Sequence, residues 1–146
     1  MSIDHSQGPL TGIRVVDMSV MISGPLAGMT LADQGAEVIK VESPGLGDMM
    51  RYLGSQKNGI TGIYALHNRG KKSLVVDLKK PEGTEVLRSL VASADVLIQN
   101  FRPGAVERLG FGYEDVKAIN PNIVYVSIAG LPVAGSVCTE ARPEAA

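Results

Sequence analysis

The 146-residue chain has one cysteine, no tryptophan, two histidines and only 4% aromatic residues. A single cysteine excludes an internal disulfide, and His5, His67 and Cys138 lie too far apart to offer metal-ligand spacing, so no metal site is expected. Charge of one sign is also lacking. Fourteen Lys plus Arg against 15 Asp plus Glu leave a net charge of −1, which removes the cationic surplus that a general nucleic-acid binder needs. The charge-free stretch 18–32 is shorter than the ~20 apolar residues of a membrane span and contains Ser23-Gly24-Pro25, a turn signal. The first residues lack a basic stretch followed by an apolar run, so a cytoplasmic, membrane-free protein is expected.

What is present is enough apolar material for a core. Apolar residues make up 45% of the chain, and a chain of about 150 residues buries roughly 68–70% of its unfolded surface, which suits one domain. A short β-branched run at residues 13–18 reads as a strand buried largely on both faces, and the runs at 37–42, 73–78, 96–99 and 123–128 read as further strands. Helical periodicity lies between them. Pro25 suits the first position of a helix that Gly35 stops, Pro81 opens a second, and two shorter helical stretches follow at 105–109 and 113–119. Strands alternating with helices predict an α/β fold with a mostly parallel sheet and helices on both faces. Residues 43–59 are rich in Gly and Pro and read as an irregular excursion with one helical turn near 49–53; residues 60–67 read as helical. Residues 131–146 lose all periodicity and are expected to form a disordered tail.

In an open α/β sheet, ligands bind beyond the carboxyl ends of the strands, where helix N-termini present free N–H groups. Three segments fall there. The turn Val20-Met21-Ile22-Ser23-Gly24 offers a cap or a ligand contact at Ser23, and reads equally as an ordinary capped turn. Asn100-Phe101-Arg102-Pro103-Gly104 sets an amide, a ring and a guanidinium side by side, a combination suited to an adenine and a phosphate. Asn68-Arg69-Gly70-Lys71-Lys72 could hold a phosphate or simply be a solvated turn. Asp17, Asp77 and Asp95 flank strands and could face the same edge. The usual nucleotide fingerprints are missing: Gly45-Leu46-Gly47 lacks the following glycine of a dinucleotide turn, and Gly70-Lys71-Lys72-Ser73 lacks the earlier glycine of a P-loop. No nucleophile elbow occurs.

Five ordered blocks, Gly8 through Asp17, Gly35-Ala36-Glu37-Val38-Ile39-Lys40-Val41-Glu42, Gly47-Asp48, Asn68-Arg69-Gly70-Lys71-Lys72-Ser73 and Asn100-Phe101-Arg102-Pro103-Gly104, resemble the amino-terminal region of family III CoA-transferases. The resemblance runs from about Gly8 to Gly130. It implies a Rossmann-like, CoA-binding part over residues 1–130, a coenzyme A thioester as substrate with no prosthetic group, and an acyl-CoA and a carboxylic acid as partners. Carried over by position, it places CoA contacts at Ile22, Ser23, Ser43, Val76, Asp77, Leu78, Lys79, Asn100, Phe101, Arg102 and Arg108. Family members often have a bulkier polar or basic residue where Ile22 and Ser43 stand.

In the transferase branch an aspartate carboxylate attacks the thioester; a racemase branch uses a His and Asp pair. Both sets lie downstream of Ser127-Ile128-Ala129-Gly130, and residues 131–146 contain neither Asp nor His, so no catalytic residue is assigned. The expectation is a truncated CoA-transferase homologue, inactive alone, with residues 131–146 as a disordered or out-of-frame tail. Two alternatives are a non-catalytic CoA-binding or subunit-interaction module and an α-methylacyl-CoA racemase fragment. The family's interlocked homodimer uses a returning C-terminal segment that this span lacks, so the dimer is not expected from it.

Overall fold

The computed structural model describes residues 8–129, and the expected tail at 131–146 lies outside the described residues. The chain runs β1 (Arg14–Asp17), α1 (Ser23–Asp33), β2 (Glu37–Glu42), a 3-10 turn (Met49–Tyr52), β3 (Gln56–Lys57), β4 (Ile60–Thr61) and α2 (Gly62–Asn68). It continues through β5 (Lys72–Val75), α3 (Pro81–Ala92), β6 (Val96–Gln99), α4 (Ala105–Arg108), α5 (Tyr113–Ile119) and β7 (Val124–Ser127). Five strands form one sheet in the order β5-β2-β1-β6-β7, every pairing parallel. β3 and β4 make a small antiparallel hairpin inside the excursion.

Side-chain alternation along the strands creates two cores. Val15 and Ile98 face Ala32, Ala36 and Val38 on the α1 side, whereas Val16 and Leu97 face Leu87, Val91, Phe111 and Val116 on the side of α3 and α5. Central strands must therefore be apolar on both faces, which is the continuous β-branched pattern the sequence shows. Pro25 occupies the third helical position and not the first, because α1 begins at Ser23. The site still tolerates proline, since the first four helical N–H groups have no intrahelical partner. Gly35, at φ 96°, makes the turn from α1 into β2 in a region that L side chains avoid.

Counted along the chain, the sheet order is third, second, first, fourth, fifth. The chain winds outward from β1 in one direction and from β6 in the other, so helices cover opposite faces and a crevice opens where β1 and β6 diverge. This crevice sits beyond Asp17 and Gln99, at the carboxyl ends of the two central strands.

Candidate functional site

The crevice is closed on one side by a side-chain clasp. Asn100 Oδ1 accepts from the Val20 N–H at 2.9 Å and its Nδ2 donates to the Val20 carbonyl at 2.7 Å. One amide thus replaces the sheet pairing that the diverging strands can no longer make. Beyond Val20 the chain turns through Met21 at φ 68° into α1, leaving Ile22 and Ser23 exposed. Ser23 does not cap α1; Ile22 is the N-cap, with no side-chain cap bond.

A groove of about 170 Å³ opens beside this turn, lined by Met18, Val20, Val41, Glu42, Ser43 and Gly47 on one wall. Val76, Asp77, Leu78, Lys79, Phe101 and Leu109 complete it. Six of the eleven residues expected to contact CoA therefore meet here: Ser43, Val76, Asp77, Leu78, Lys79 and Phe101. Asn100 clasps the adjoining turn, while Arg102 and Arg108 are exposed neighbours of the lining residues Phe101 and Leu109. Ile22 and Ser23 are not among the lining residues. Asp77 Oδ1 accepts from the Lys79 N–H at 3.0 Å, which fixes the turn from β5 into α3. Lys79, Arg102 and Arg108 make no ion pair among the described residues. The groove thus combines apolar walls and one ring with uncommitted cations nearby, a composition that fits a flat ring system carrying phosphates. Its volume lies below the ~300 Å³ lower end of ligand pockets, and a second cavity of about 390 Å³ adjoins it through Glu42, Ser43 and Gly47.

Behind the groove lies a buried polar network that sequence reasoning missed. Lys40, 1% exposed, donates to Asp48 Oδ2 at 3.0 Å and to the Ser19 carbonyl. Asp48 Oδ1 accepts from the Met21 and Met50 N–H groups at 3.1 and 3.0 Å. Glu42 accepts from the Asp48 N–H at 2.9 Å, from Arg51 at 2.9 and 2.6 Å, and from the Tyr64 hydroxyl at 3.0 Å. The Arg51 guanidinium also lies 4.0 Å over the Tyr64 ring. Asp17 accepts from the Ser19 N–H at 3.0 Å, from the Ser19 hydroxyl, and from Lys71 at 2.7 Å. Lys71 donates further to the Pro25 carbonyl at 2.8 Å and to Asn68 at 3.1 Å. Every buried side-chain donor and acceptor among the described residues is satisfied.

The network shifts the ionisation of its members. Burial pushes the Glu42 carboxyl up, but the hydrogen bonds from Arg51, the Asp48 N–H and Tyr64 outweigh it and hold the group down at about 2. Burial and the Glu42 charge push the Tyr64 phenol up to about 12. Burial lowers the ammonium of Lys71, opposed by the Asp17 carboxylate.

Two expectations change. Lys71 is not a phosphate ligand, because its ammonium is enclosed by Asp17, Pro25 and Asn68. Asp95 lies at the other end of the sheet, where its carboxylate accepts from the Arg14 N–H at 2.8 Å and joins the starts of β1 and β6. Asp17 does stand at the ligand edge, but its carboxylate is wholly buried. The signal for these ties was in the sequence. Asp17, Lys40 and Glu42 are charges inside runs that otherwise read as buried strands, and a buried charge requires a partner.

The fold and its crevice define an α/β protein with a five-stranded parallel sheet wound in both directions from its centre. Residues 10–143 match the model of CoA-transferase family III, and the chain belongs to that family. It is 42% identical over 138 residues to a human succinyl-CoA:glutarate CoA-transferase, covering 94% of this chain and 32% of that protein. A formyl-CoA:oxalate CoA-transferase of Afipia carboxidovorans is 42% identical over 122 residues, covering 83% of this chain and 29% of that protein. A crystal structure of a CAIB/BAIF family protein from Brucella suis superposes with a TM-score of 0.80 at 45% identity, covering 85% of this chain and 34% of that one. The chain thus spans about a third of the length of the relatives it matches, in agreement with the resemblance to the family's amino-terminal part.

Proposed function

We propose that this span is the CoA-binding part of a transferase that moves CoA between an acyl-CoA thioester and a carboxylic acid. CoA serves as substrate, no prosthetic group is involved, and the setting is the cytoplasm. The observation that carries the reading is the groove at the ends of β1, β2, β5 and β6, which gathers Ser43, residues 76–79 and Phe101. Phe101 and Leu78 suit the faces of an adenine, and Lys79, Arg102 and Arg108 suit phosphate oxygens. The relatives named as succinyl-CoA:glutarate and formyl-CoA:oxalate CoA-transferases support the substrate class. Binding is the role proposed for these residues: the carboxylates Asp17, Glu42 and Asp48 are all committed to cations, and Asp77 holds the Lys79 N–H at the turn.

Titration calorimetry of the chain with CoA, dephospho-CoA and adenosine tests this reading. Saturable CoA binding that weakens about tenfold in Phe101→Ala, and weakens again when the 3′-phosphate is absent, is expected. A chain that binds none of the three at millimolar concentration refutes it.

A further inference from the structure

We propose that Asp48 is a positioning residue that shapes the turn between β1 and α1 for coenzyme binding, through the acceptor role of its Oδ1 and not through its charge. The inference rests on the CoA-binding reading above. Met21 holds φ 68°, a conformation that a non-glycine residue keeps only where its surroundings over-determine it. Three bonds do so. Asn100 grips both backbone groups of Val20, Lys40 takes the Ser19 carbonyl, and Asp48 Oδ1 takes the Met21 N–H. Asn100 and Lys40 act on residues before the bend. Asp48 alone reaches the bent residue, and it also fixes the excursion through the Met50 N–H. Its own N–H is held by Glu42, which lines the groove. One carboxylate therefore ties the turn that follows Val20 to the excursion that supplies Ser43 and Gly47, and Val20, Ser43 and Gly47 all line the groove.

Oδ2 has a separate task, which is to neutralise Lys40. Replacing a buried ion pair by neutral groups of similar shape is often tolerated, whereas removing one partner is not. The two tasks can therefore be separated by comparing Lys40→Met/Asp48→Asn with Lys40→Met/Asp48→Leu. Both variants lose the ion pair, but only the first retains an acceptor for Met21. CoA affinity is read by calorimetry, melting by circular dichroism, and exchange of the Met21 and Met50 amides by NMR. The Asn variant is expected to bind CoA within threefold of wild type and to keep both amides protected. The Leu variant is expected to lose at least tenfold in affinity and Met21 protection while still melting cooperatively. Equal affinity in the two variants overturns the proposal. Should the Leu variant fail to fold, the wild-type chain decides: Met21 exchanging as fast as the exposed Ile22 amide overturns the assignment, and slow exchange supports it. Failure of the wild-type chain to bind CoA counts against the functional reading, and the amide exchange still judges the role of Asp48.

Discussion

Glu42 gives the sharpest quantitative test of the buried network. Its carboxyl lies between the groove and Arg51, is held at about 2, and would titrate near 4.5 in an unfolded chain. A group whose pKa is depressed on folding contributes stability that is complete above its unfolded value and is lost as pH falls toward the folded one. The window is therefore pH 4.5 down to 2. The difference corresponds to about 3 kcal/mol, or roughly 10 °C in Tm for a chain of this length. The assay is thermal melting from pH 7 to 2.5 for wild type and Glu42→Gln. Wild type is expected to hold its Tm above pH 5 and to lose stability steadily below 4.5. Glu42→Gln begins about 2–3 kcal/mol lower at pH 7, since Arg51 then faces an amide, and declines less on acidification. Glu37, also held low by Lys72 and Arg14 at the opposite sheet edge, titrates in both proteins and cancels in the difference. A difference between the two melting curves that is independent of pH would show that Glu42 is not held ionised by this network.

Lys71→Met leaves Asp17 buried without its cation and is expected to cost about 3–5 kcal/mol in urea unfolding; adding Asp17→Asn restores most of it. Gly83→Ala places a methyl 2.1 Å from the Asp77 carbonyl, at the turn that lines the groove. It should lower Tm and weaken CoA together, and a stable variant with unchanged affinity would contradict the placement of that turn. Asn100→Ala removes both clasp bonds to Val20 and is expected to cost about 1–3 kcal/mol, with CoA affinity falling further than in a distal control such as Val86→Ala.

The fold was legible because its determinants are local and repetitive. β-branched runs of four to six residues mark strands, of which the three central ones, β1, β2 and β6, are covered on both faces, and helical stretches between them compel parallel crossovers. The candidate edge was legible in part for the same reason: residues following a strand and preceding a helix fall at one end of a parallel sheet, which put residues 100–102 beside the turn at 20–24, whereas residues 76–79 came from the family resemblance. The buried charges were legible, but not their partners: Lys40 and Asp48 are 8 positions apart and Glu42 and Arg51 are 9 apart, across an irregular excursion whose path periodicity does not give. Lys71 and Asp17 are 54 positions apart, and only the path of α2 back to β5 brings them together. For that reason the basic turn at 68–72 read as solvated or phosphate-binding, when one of its two lysines points inward. Asp95 misled for the opposite reason, since a residue flanking a strand can stand at either end, and composition does not tell the two ends apart.

The network also answers an electrostatic requirement. Asp17, Glu42 and Asp48 place three carboxylates behind a groove proposed to take a polyanion, and unpaired they would repel it through a poorly screening interior. Each is matched by one buried or half-buried cation, Lys71, Arg51 and Lys40. These three pairs cancel, which leaves Asp77 as the lining carboxylate without a cation among the described residues, against the three uncommitted charges of Lys79, Arg102 and Arg108 at the mouth. Loss of one internal cation must then act on binding as well as on folding. In a Lys71→Met chain kept folded at low temperature, the unpaired negative charge of Asp17 weakens CoA more than it weakens uncharged adenosine, and added salt narrows the gap. An equal loss for both ligands would mean that the pairs serve the fold alone.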